Sequence, residues 1–287
     1  MKFIRAYVEI TNICGLKCSF CPPKIKPNLI MCVDKFSKVL DELKPYTDEI
    51  AFHVMGDPIV VSHLRDYLDI AKSKDMKVMI TTTGYFLNKM DSSVLLHDSI
   101  RQINFSLNSF NKNDFNKSFE EYIKPLISFA KKKTKINTNS FINFRLWNID
   151  NVFSEDKYNK QVLEYLGIIY NLNVKVPKNK ESIRLDNKVL IHFDTYFEWP
   201  NLQNTHFSHG YCHGLSKQIA ILADGTVVPC CLDGEGVINL GNIFKNTLDD
   251  ILNGERAKNI IGGFKEKKAV EELCQKCSYK VRFNEES

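Results

Sequence analysis

The residues of this chain best suited to metal chemistry are its nine cysteines, among 287 residues in total. An early group comprises Cys14, Cys18 and Cys21, and a late group comprises Cys212, Cys230, Cys231, Cys274 and Cys277. The first twelve residues lack the apolar segment and cleavage site of a signal peptide. We therefore expect a cytoplasmic protein, in which thiols stay reduced and clustered cysteines bind metal rather than form disulfides.

The early cysteines are spaced C-x3-C-x2-C in a loop that follows a β-rich run at residues 3–10. Three thiolates can bind three irons of a 4Fe-4S cube and leave the fourth iron without a protein ligand. A structural zinc site with a distant fourth ligand is the alternative for the same thiols. Cys32, which stands apart from both groups, is expected in the core.

The late cysteines flank a predicted β-hairpin. The Asp224-Gly225 pair between two β-rich runs is typical of a tight turn that needs positive φ angles. The hairpin can bring Cys212 and Cys230 together, and a C-x2-C pair beyond a helix predicted at residues 247–259 can complete the site. The expected ligands are Cys212, Cys230, Cys274 and Cys277. Their spacing leaves an iron–sulfur cluster and a structural zinc ion open.

Cys231 adjoins Cys230, and successive side chains on a strand face opposite ways. Only one of the two is therefore expected to bind the late metal, and its position favours Cys230. We expect Cys231 to be a small buried residue, with a role as alternative ligand or redox thiol left open.

The elements that must position these cysteines alternate between β-rich and helical patterns. The β-rich runs lie at residues 3–10, 50–55, 77–82, 102–107 and 141–147. Repeated strand–helix units predict a mainly parallel sheet, either doubly wound or curled into a full or partial barrel. Residues 174–176 and 189–193 are both candidates for a sixth strand. Ligands of such sheets collect at the carboxyl ends of the strands.

The early loop resembles the signature of the radical S-adenosylmethionine (SAM) superfamily, and later strand ends resemble its other motifs in order. Residues 53–58 resemble the Gly-Gly-Glu-Pro segment that contacts the SAM amino group, although Met55 and Asp57 replace the usual Gly and Glu. Residues 82–84 and 106–108 resemble segments of the next strands. The SAM contacts implied by this resemblance are Phe20, Gly56, Asp57, Thr83, Ser106 and Asn108, with Phe20 as a loop anchor in the core the alternative. Arg145 on the fifth strand can pair with the SAM carboxylate, or it is a surface residue.

The late cysteines, with Gly225 between them, resemble the Twitch domain, which is a shortened SPASM extension. Together the resemblances imply an α/β fold: a partial (β/α)6 TIM-type barrel core at residues 1–205. A small hairpin-plus-helix cluster domain would follow at residues 206–287. They also imply two 4Fe-4S clusters, SAM as a second cofactor, and an electron donor such as flavodoxin or ferredoxin.

The implied reaction is reductive cleavage of SAM followed by hydrogen abstraction from a substrate C–H bond, for oxidation or modification of a small molecule or peptide. RNA modification is the alternative, although a net charge of +5 and the lack of an RNA-binding module weigh against it. A metal-stabilised binding protein without turnover is a further alternative. No run reaches the roughly 20 apolar residues of a membrane span. The first strand starts at residue 3, so we expect no leader-recognition domain before it.

Residues on the substrate side are expected where the two predicted domains join. Asp194 and Glu198 can supply a base for the proton lost in an oxidation, or simply cap, pair or face water. Trp199 is expected to pack this junction or to line a pocket there. The polar-loop histidines, which can act as ligands or bases, are His206, His209 and His213.

Overall fold

The computed structural model describes residues 2–113, 117–136, 139–147, 155–175, 182–205 and 207–284. The chain divides into two compact units. The first unit comprises Met1–Gly15, Phe20–Val78 and Phe197–Ser287, and the second comprises Leu16–Ser19 and Met79–Tyr196. The predicted boundary between residues 205 and 206 stays a prediction.

The strands alternate with helices through most of the chain. They are β1 (Arg5–Val8), β2 (Glu49–Phe52), β3 (Lys77–Thr82), β4 (Ile100–Ser106), β5 (Phe141–Trp147), β6 (Ser182–Asp186), β7 (Val189–Asp194), β8 (Gln218–Ile221), β9 (Thr226–Val228) and β10 (Gly241–Asn242).

The helices cover most of the described connections between those strands. They are α1 (Val33–Leu43), α2 (Leu64–Ser73), α3 (Asn108–Asn111), α4 (Phe119–Ile136), α5 (Asp156–Tyr170), α6 (Leu248–Asn253), α7 (Glu255–Lys265), α8 (Glu272–Gln275) and α9 (Val281–Asn284). In the described part of the chain, none of them combines the length and apolar character of a membrane-spanning helix.

The first unit joins the beginning of the chain to the late cysteine region. Its strands follow the order β10-β9-β8-β1-β2, and β1 is parallel to both β2 and β8. Helices α1 and α2 each bury one face, on which the apolar residues follow the i, i+3, i+4, i+7 spacing of a helix. Their buried residues are Phe36, Val39, Leu40, Leu43, Leu64, Tyr67, Leu68 and Ala71. Aromatic packing between the helices and β2 places the Phe36 ring 5.5 Å from Phe52 and 5.1 Å from Tyr67.

The second unit contains the strand order β4-β5-β7-β6, with β4, β5 and β7 parallel. The prediction of residues 189–193 as the sixth strand is confirmed, because β7 pairs directly with β5. Of the rival segment, Val174 lies outside any strand and Val176 lies outside the described residues. Strand β6 was not predicted; it pairs antiparallel with β7 beside a turn in which Lys188 has a φ of +57°.

Of three local predictions, one is confirmed by the structure and two are wrong. The hairpin at Asp224-Gly225 is confirmed, because β8 and β9 are antiparallel and Gly225 has a φ of +84°. The single helix predicted at residues 247–259 is wrong: Gly254 is extended and separates α6 from α7. The core placement of Cys32 is also wrong, because this residue is exposed just before α1.

Candidate functional site

The loop with the early cysteines begins at the carboxyl end of β1. Within the first unit, the Asn12 side chain closes the loop, since its amide donates to Pro27 O at 2.8 Å and its oxygen accepts from Leu29 N at 2.8 Å. Cys14 is partly exposed and Cys21 is exposed. Gly15, between the first two cysteines, has a φ of +78°, a conformation that favours glycine. Hydrogen bonds therefore stabilise the loop that carries Cys14 and Cys21 at the carboxyl end of β1.

Cys18 belongs to the second unit and is buried there. The Asn113 side-chain amide lies 3.0 Å from Cys18 Sγ, and its oxygen accepts from Lys17 N at 3.0 Å. The backbone N–H of Ser19 also donates to Lys112 O at 3.1 Å. An N–H donor to sulfur favours the thiolate, which is the form that binds metal.

The segment after β2, residues 55–57, lies against the early loop in the first unit. A Cβ atom added to Gly56 would lie 2.0 Å from Thr11 O, so only glycine fits here. The backbone N–H of Asp57 donates to Ile13 O at 3.0 Å. The Asp57 side chain is 2% exposed and accepts from Ile59 N at 3.3 Å, which caps the short 3-10 helix Pro58–Val60. Phe20, the other proposed SAM contact in this unit, is half-buried.

The proposed SAM contacts of the second unit lie at the carboxyl ends of its strands. Strand register places Ser106 beside Arg145, and Arg145 beside His192 on β7. Neighbours in a parallel sheet point to the same face, so these polar residues form one row. Thr83 Oγ1 accepts from Tyr85 N at 3.2 Å, and Asn108 is buried at the start of α3. Thr83 therefore also stabilises its own turn.

The four late cysteines predicted as ligands lie within electrostatic range of one another. Burial raises the pKa of Cys230 well above its usual value, and neighbouring thiolates raise it further. Those thiolates belong to Cys231, Cys212, Cys274 and Cys277. The fold of the first unit thus gathers cysteines from the hairpin, from the segment before it and from the C-x2-C pair.

Backbone N–H groups point at the sulfur atoms of two of these cysteines. Burial raises the pKa of Cys212 to about 11, whereas hydrogen bonds from the backbone N–H groups of the next two residues lower it. Burial also raises the pKa of Cys277, and the N–H groups two and three residues further along lower it. Such donors stabilise bound thiolates and tune iron–sulfur clusters.

The Lys280 side chain stabilises the C-x2-C loop through hydrogen bonds to its backbone. Its side chain is 1% exposed, and its ammonium group donates to three backbone carbonyl oxygens. The acceptors are Cys274 O at 2.9 Å, Gln275 O at 3.0 Å and Cys277 O at 2.7 Å. A cation in this position fixes the loop and also faces the negative charge of thiolates.

These side chains fit a 4Fe-4S cluster. In such a cluster each cysteine binds a different iron, and four gathered thiols, two of them with backbone N–H donors, supply that set of ligands. Four thiolates also suit a structural zinc ion.

Cys231 faces a different environment from its neighbour. It packs, with Tyr7 and Met55, against a buried apolar cluster of the first unit, whose members are Val54, Ala220, Leu222 and Val228. It is half-buried, so the expectation of a small buried residue is met in part, and its thiol also lies near Cys230. A role as alternative ligand or redox thiol stays open.

The residues predicted on the substrate side are dispersed. Asp194 ends β7 and accepts from Thr195 N at 2.8 Å, whereas Glu198 is exposed in the other unit. The Trp199 ring packs 5.8 Å from the Phe197 ring. His213 contacts Phe283, with ring centroids 4.2 Å apart.

Of the other two predicted histidines, one packs against an aromatic ring and one lies outside the described residues. His209 lies 5.7 Å from the Phe207 ring, and His206 lies outside the described residues. The structure gathers none of the predicted acids and histidines into a common group among the described residues.

Sequence reasoning missed Glu9, His192 and Lys280. Glu9 stands in a β-rich run where an acid is unusual, and that was the only available signal. His192 alternates with apolar neighbours on β7, which marks its face but not its partners. Lys280 carries no local signal, since surface lysines are common.

Two comparisons relate this chain to known proteins, one through a domain and one through the fold. Residues 212–278 match SPASM, the iron-sulfur cluster-binding domain. The fold of the chain is similar to that of solved structures that hold bound AdoMet. No curated protein sequence is significantly similar to the chain.

Three solved structures represent these relatives. BtrN in complex with AdoMet and 2-DOIA is 15% identical with a TM-score of 0.55, over 97% of this chain and 94% of that chain. The anSMEcpe structure with bound AdoMet is 14% identical with a TM-score of 0.62, over 98% and 87%. Streptococcus suis SuiB bound to S-adenosylmethionine is 16% identical with a TM-score of 0.52, over 100% and 73%.

Identities of this size show a shared fold. The predicted fold class is confirmed: the chain is α/β and has the fold of partial TIM-type barrel enzymes with a SPASM-type domain. The resemblance of the late cysteine region to SPASM is confirmed by the match over residues 212–278.

Proposed function

We propose that this protein is a radical SAM enzyme that cleaves SAM reductively and abstracts hydrogen from a C–H bond of a small molecule or peptide. The observation that carries the proposal is the placement of the early cysteines. Their C-x3-C-x2-C loop follows β1 and lies against residues 55–57, in a fold shared with structures that hold AdoMet.

The chain's own residues have distinct proposed roles. Cys14, Cys18 and Cys21 hold the first 4Fe-4S cluster and leave one iron for SAM. When bound, this cluster supplies the electron that splits SAM into methionine and the 5'-deoxyadenosyl radical that takes the substrate hydrogen. Asp57 accepts the SAM amino group, and Arg145 pairs with its carboxylate. The further proposed contacts are Phe20, Gly56, Thr83, Ser106 and Asn108.

The late cysteines are proposed to hold a second 4Fe-4S cluster. Cys212, Cys230, Cys274 and Cys277 give every iron a protein ligand, and such a closed cluster suits electron transfer. In an oxidation, a cluster held by these cysteines would supply an acceptor for the electron that the substrate radical loses, and a base would take the proton. Asp194 is the proposed base, because it is half-buried at the carboxyl end of a strand, whereas Glu198 is exposed.

The proposed substrate class follows the relatives. BtrN was solved with 2-DOIA, and SuiB was solved with its precursor peptide SuiA. We propose a small molecule or a peptide as substrate, and a flavodoxin or ferredoxin as electron donor.

Anaerobic reconstitution tests the proposal. The protein is loaded with iron and sulfide, reduced with dithionite and given SAM, and 5'-deoxyadenosine and methionine are measured. We expect equal amounts of both products, and a Cys32→Ser control should form them as the wild type does. A protein that binds iron but returns SAM intact would be a metal-stabilised binding protein instead.

A further inference from the structure

The carboxylate of Glu9 is buried between two backbone N–H groups of the first unit. Glu9 is 2% exposed, its Oε1 atom accepts from Met55 N at 3.0 Å, and its Oε2 atom accepts from Ala223 N at 3.1 Å. Met55 begins the segment proposed to contact SAM, and Ala223 lies in the turn between β8 and β9. One side chain therefore joins the SAM segment to the hairpin that leads into the late cysteines.

Such a buried carboxylate must be held by strong donors. Moving an ionised group out of water is costly unless hydrogen bonds compensate. Burial raises the pKa of Glu9 to about 7, and the two N–H groups lower it by stabilising the ionised form. Each Glu9 oxygen thus has a dedicated backbone donor.

Further contacts restrict the conformation of residues 55–57. A Cβ atom added to Gly234 would lie 2.5 Å from Met55 Cγ, so the Met55 side chain packs directly on the late region. Gly56 and the backbone of Asp57 contact the early cysteine loop, as described above. Among the described residues, the Glu9 carboxylate is the side-chain acceptor of the Met55 N–H group.

We propose that Glu9 is a positioning residue, which holds residues 55–57 in the conformation that binds SAM and ties them to the β8–β9 hairpin. The inference rests on the proposed function, because SAM is the ligand it assigns to this segment. Glu9 acts through the backbone of Met55 and touches neither SAM nor the reacting atoms.

The test compares Glu9→Gln with wild type at a pH well above 7, where the ionised form of Glu9 predominates. Glutamine has the same size, but its amide nitrogen is a donor and must face one of the two N–H groups. We expect the SAM dissociation constant and the KM for SAM to rise about tenfold or more, with kcat little changed. Amide hydrogen exchange should accelerate by about the same factor in peptides spanning Met55 and Ala223.

Glu49→Gln is the matched control. Glu49 is also a buried glutamate of the first unit, but it pairs with Arg5. This variant should retain wild-type SAM affinity and wild-type exchange at Met55. Iron content and the apparent Tm of both variants separate local loosening from loss of fold.

Two results distinguish the possible failures. If wild type neither binds nor cleaves SAM, the proposed function fails, yet the exchange measurement still tests the Glu9 contacts. If wild type binds SAM and Glu9→Gln matches Glu49→Gln in affinity and exchange, the positioning role is wrong.

Discussion

The ammonium group of Lys280 lies 2.7 Å from the carbonyl oxygen of Cys277, one of the proposed ligands of the second cluster. Replacement by methionine removes this donor and leaves buried carbonyl oxygens unsatisfied. Each such group costs about 1–3 kcal/mol, so we expect Lys280→Met to lower the apparent Tm and to lose iron. Lys124→Met is the control, because Lys124 forms an exposed pair with Glu120 on α4 that contributes little. Equal losses in both variants would contradict a supporting role for Lys280.

The early cysteines should account for about half of the bound iron, because we propose one of two similar clusters there. The triple variant Cys14→Ala, Cys18→Ala and Cys21→Ala should lose that share and form no 5'-deoxyadenosine. Iron and sulfide analysis and product quantification check both expectations. Unchanged iron, or surviving cleavage, would show that these cysteines do not hold the SAM cluster.

Asp57 and Arg145 are proposed to bind the amino and carboxylate groups of SAM. Loss of a charge-assisted contact costs roughly 1.5–3 kcal/mol, or about ten- to hundredfold in affinity. We expect Asp57→Asn and Arg145→Met to weaken SAM binding in titrations while iron content stays constant. Asp57 also caps a 3-10 helix, so Asp91→Asn, at the cap of another, is its control. Arg184→Met, at an exposed site on β6, controls for Arg145.

The second cluster should be needed for product formation but not for SAM cleavage. We expect the double variant Cys274→Ala and Cys277→Ala to form 5'-deoxyadenosine but little oxidised product, because the substrate radical lacks its electron acceptor. Circular dichroism and iron content of the first cluster must be checked, since bound metal also stabilises small domains. Normal product formation would make the second cluster dispensable, and substrate-induced spectral changes from coordination to it would contradict four cysteine ligands.

Glu9 should make stability depend on pH in a recognisable direction. Burial raises its pKa from 4.5 to about 7, so the folded protein binds this proton more tightly than the unfolded chain does. Its contribution to stability is therefore complete below about pH 4.5 and is lost as the pH rises to about 7. The shift corresponds to roughly 3 kcal/mol.

The comparison of wild type with Glu9→Gln isolates this effect, because the variant keeps the nearby charges of Lys26 and Asp224. Unfolding of both proteins is measured anaerobically between about pH 5 and pH 8. The stability of wild type should fall relative to the variant as the pH rises. A constant difference between them would show that Glu9 keeps the same protonation state in the folded and unfolded chain.

The sequence alone determined the features that depend on residue type and short spacing. Cysteine spacing indicated both proposed cluster sites, because thiolates bind iron wherever the chain groups them. The apolar faces of α1 and α2 followed from helical periodicity, which is a local property. The turn at Gly225 followed from its need for a positive φ.

Only the tertiary structure decided which distant residues meet. The Glu9 carboxylate receives N–H groups 46 and 214 positions away in the sequence, and parallel pairing of β1 with β8 carries its backbone to that point. Strand register likewise places His192 beside Arg145. Such contacts depend on how strands align across the sheet, because a shift of one residue turns every side chain to the other face.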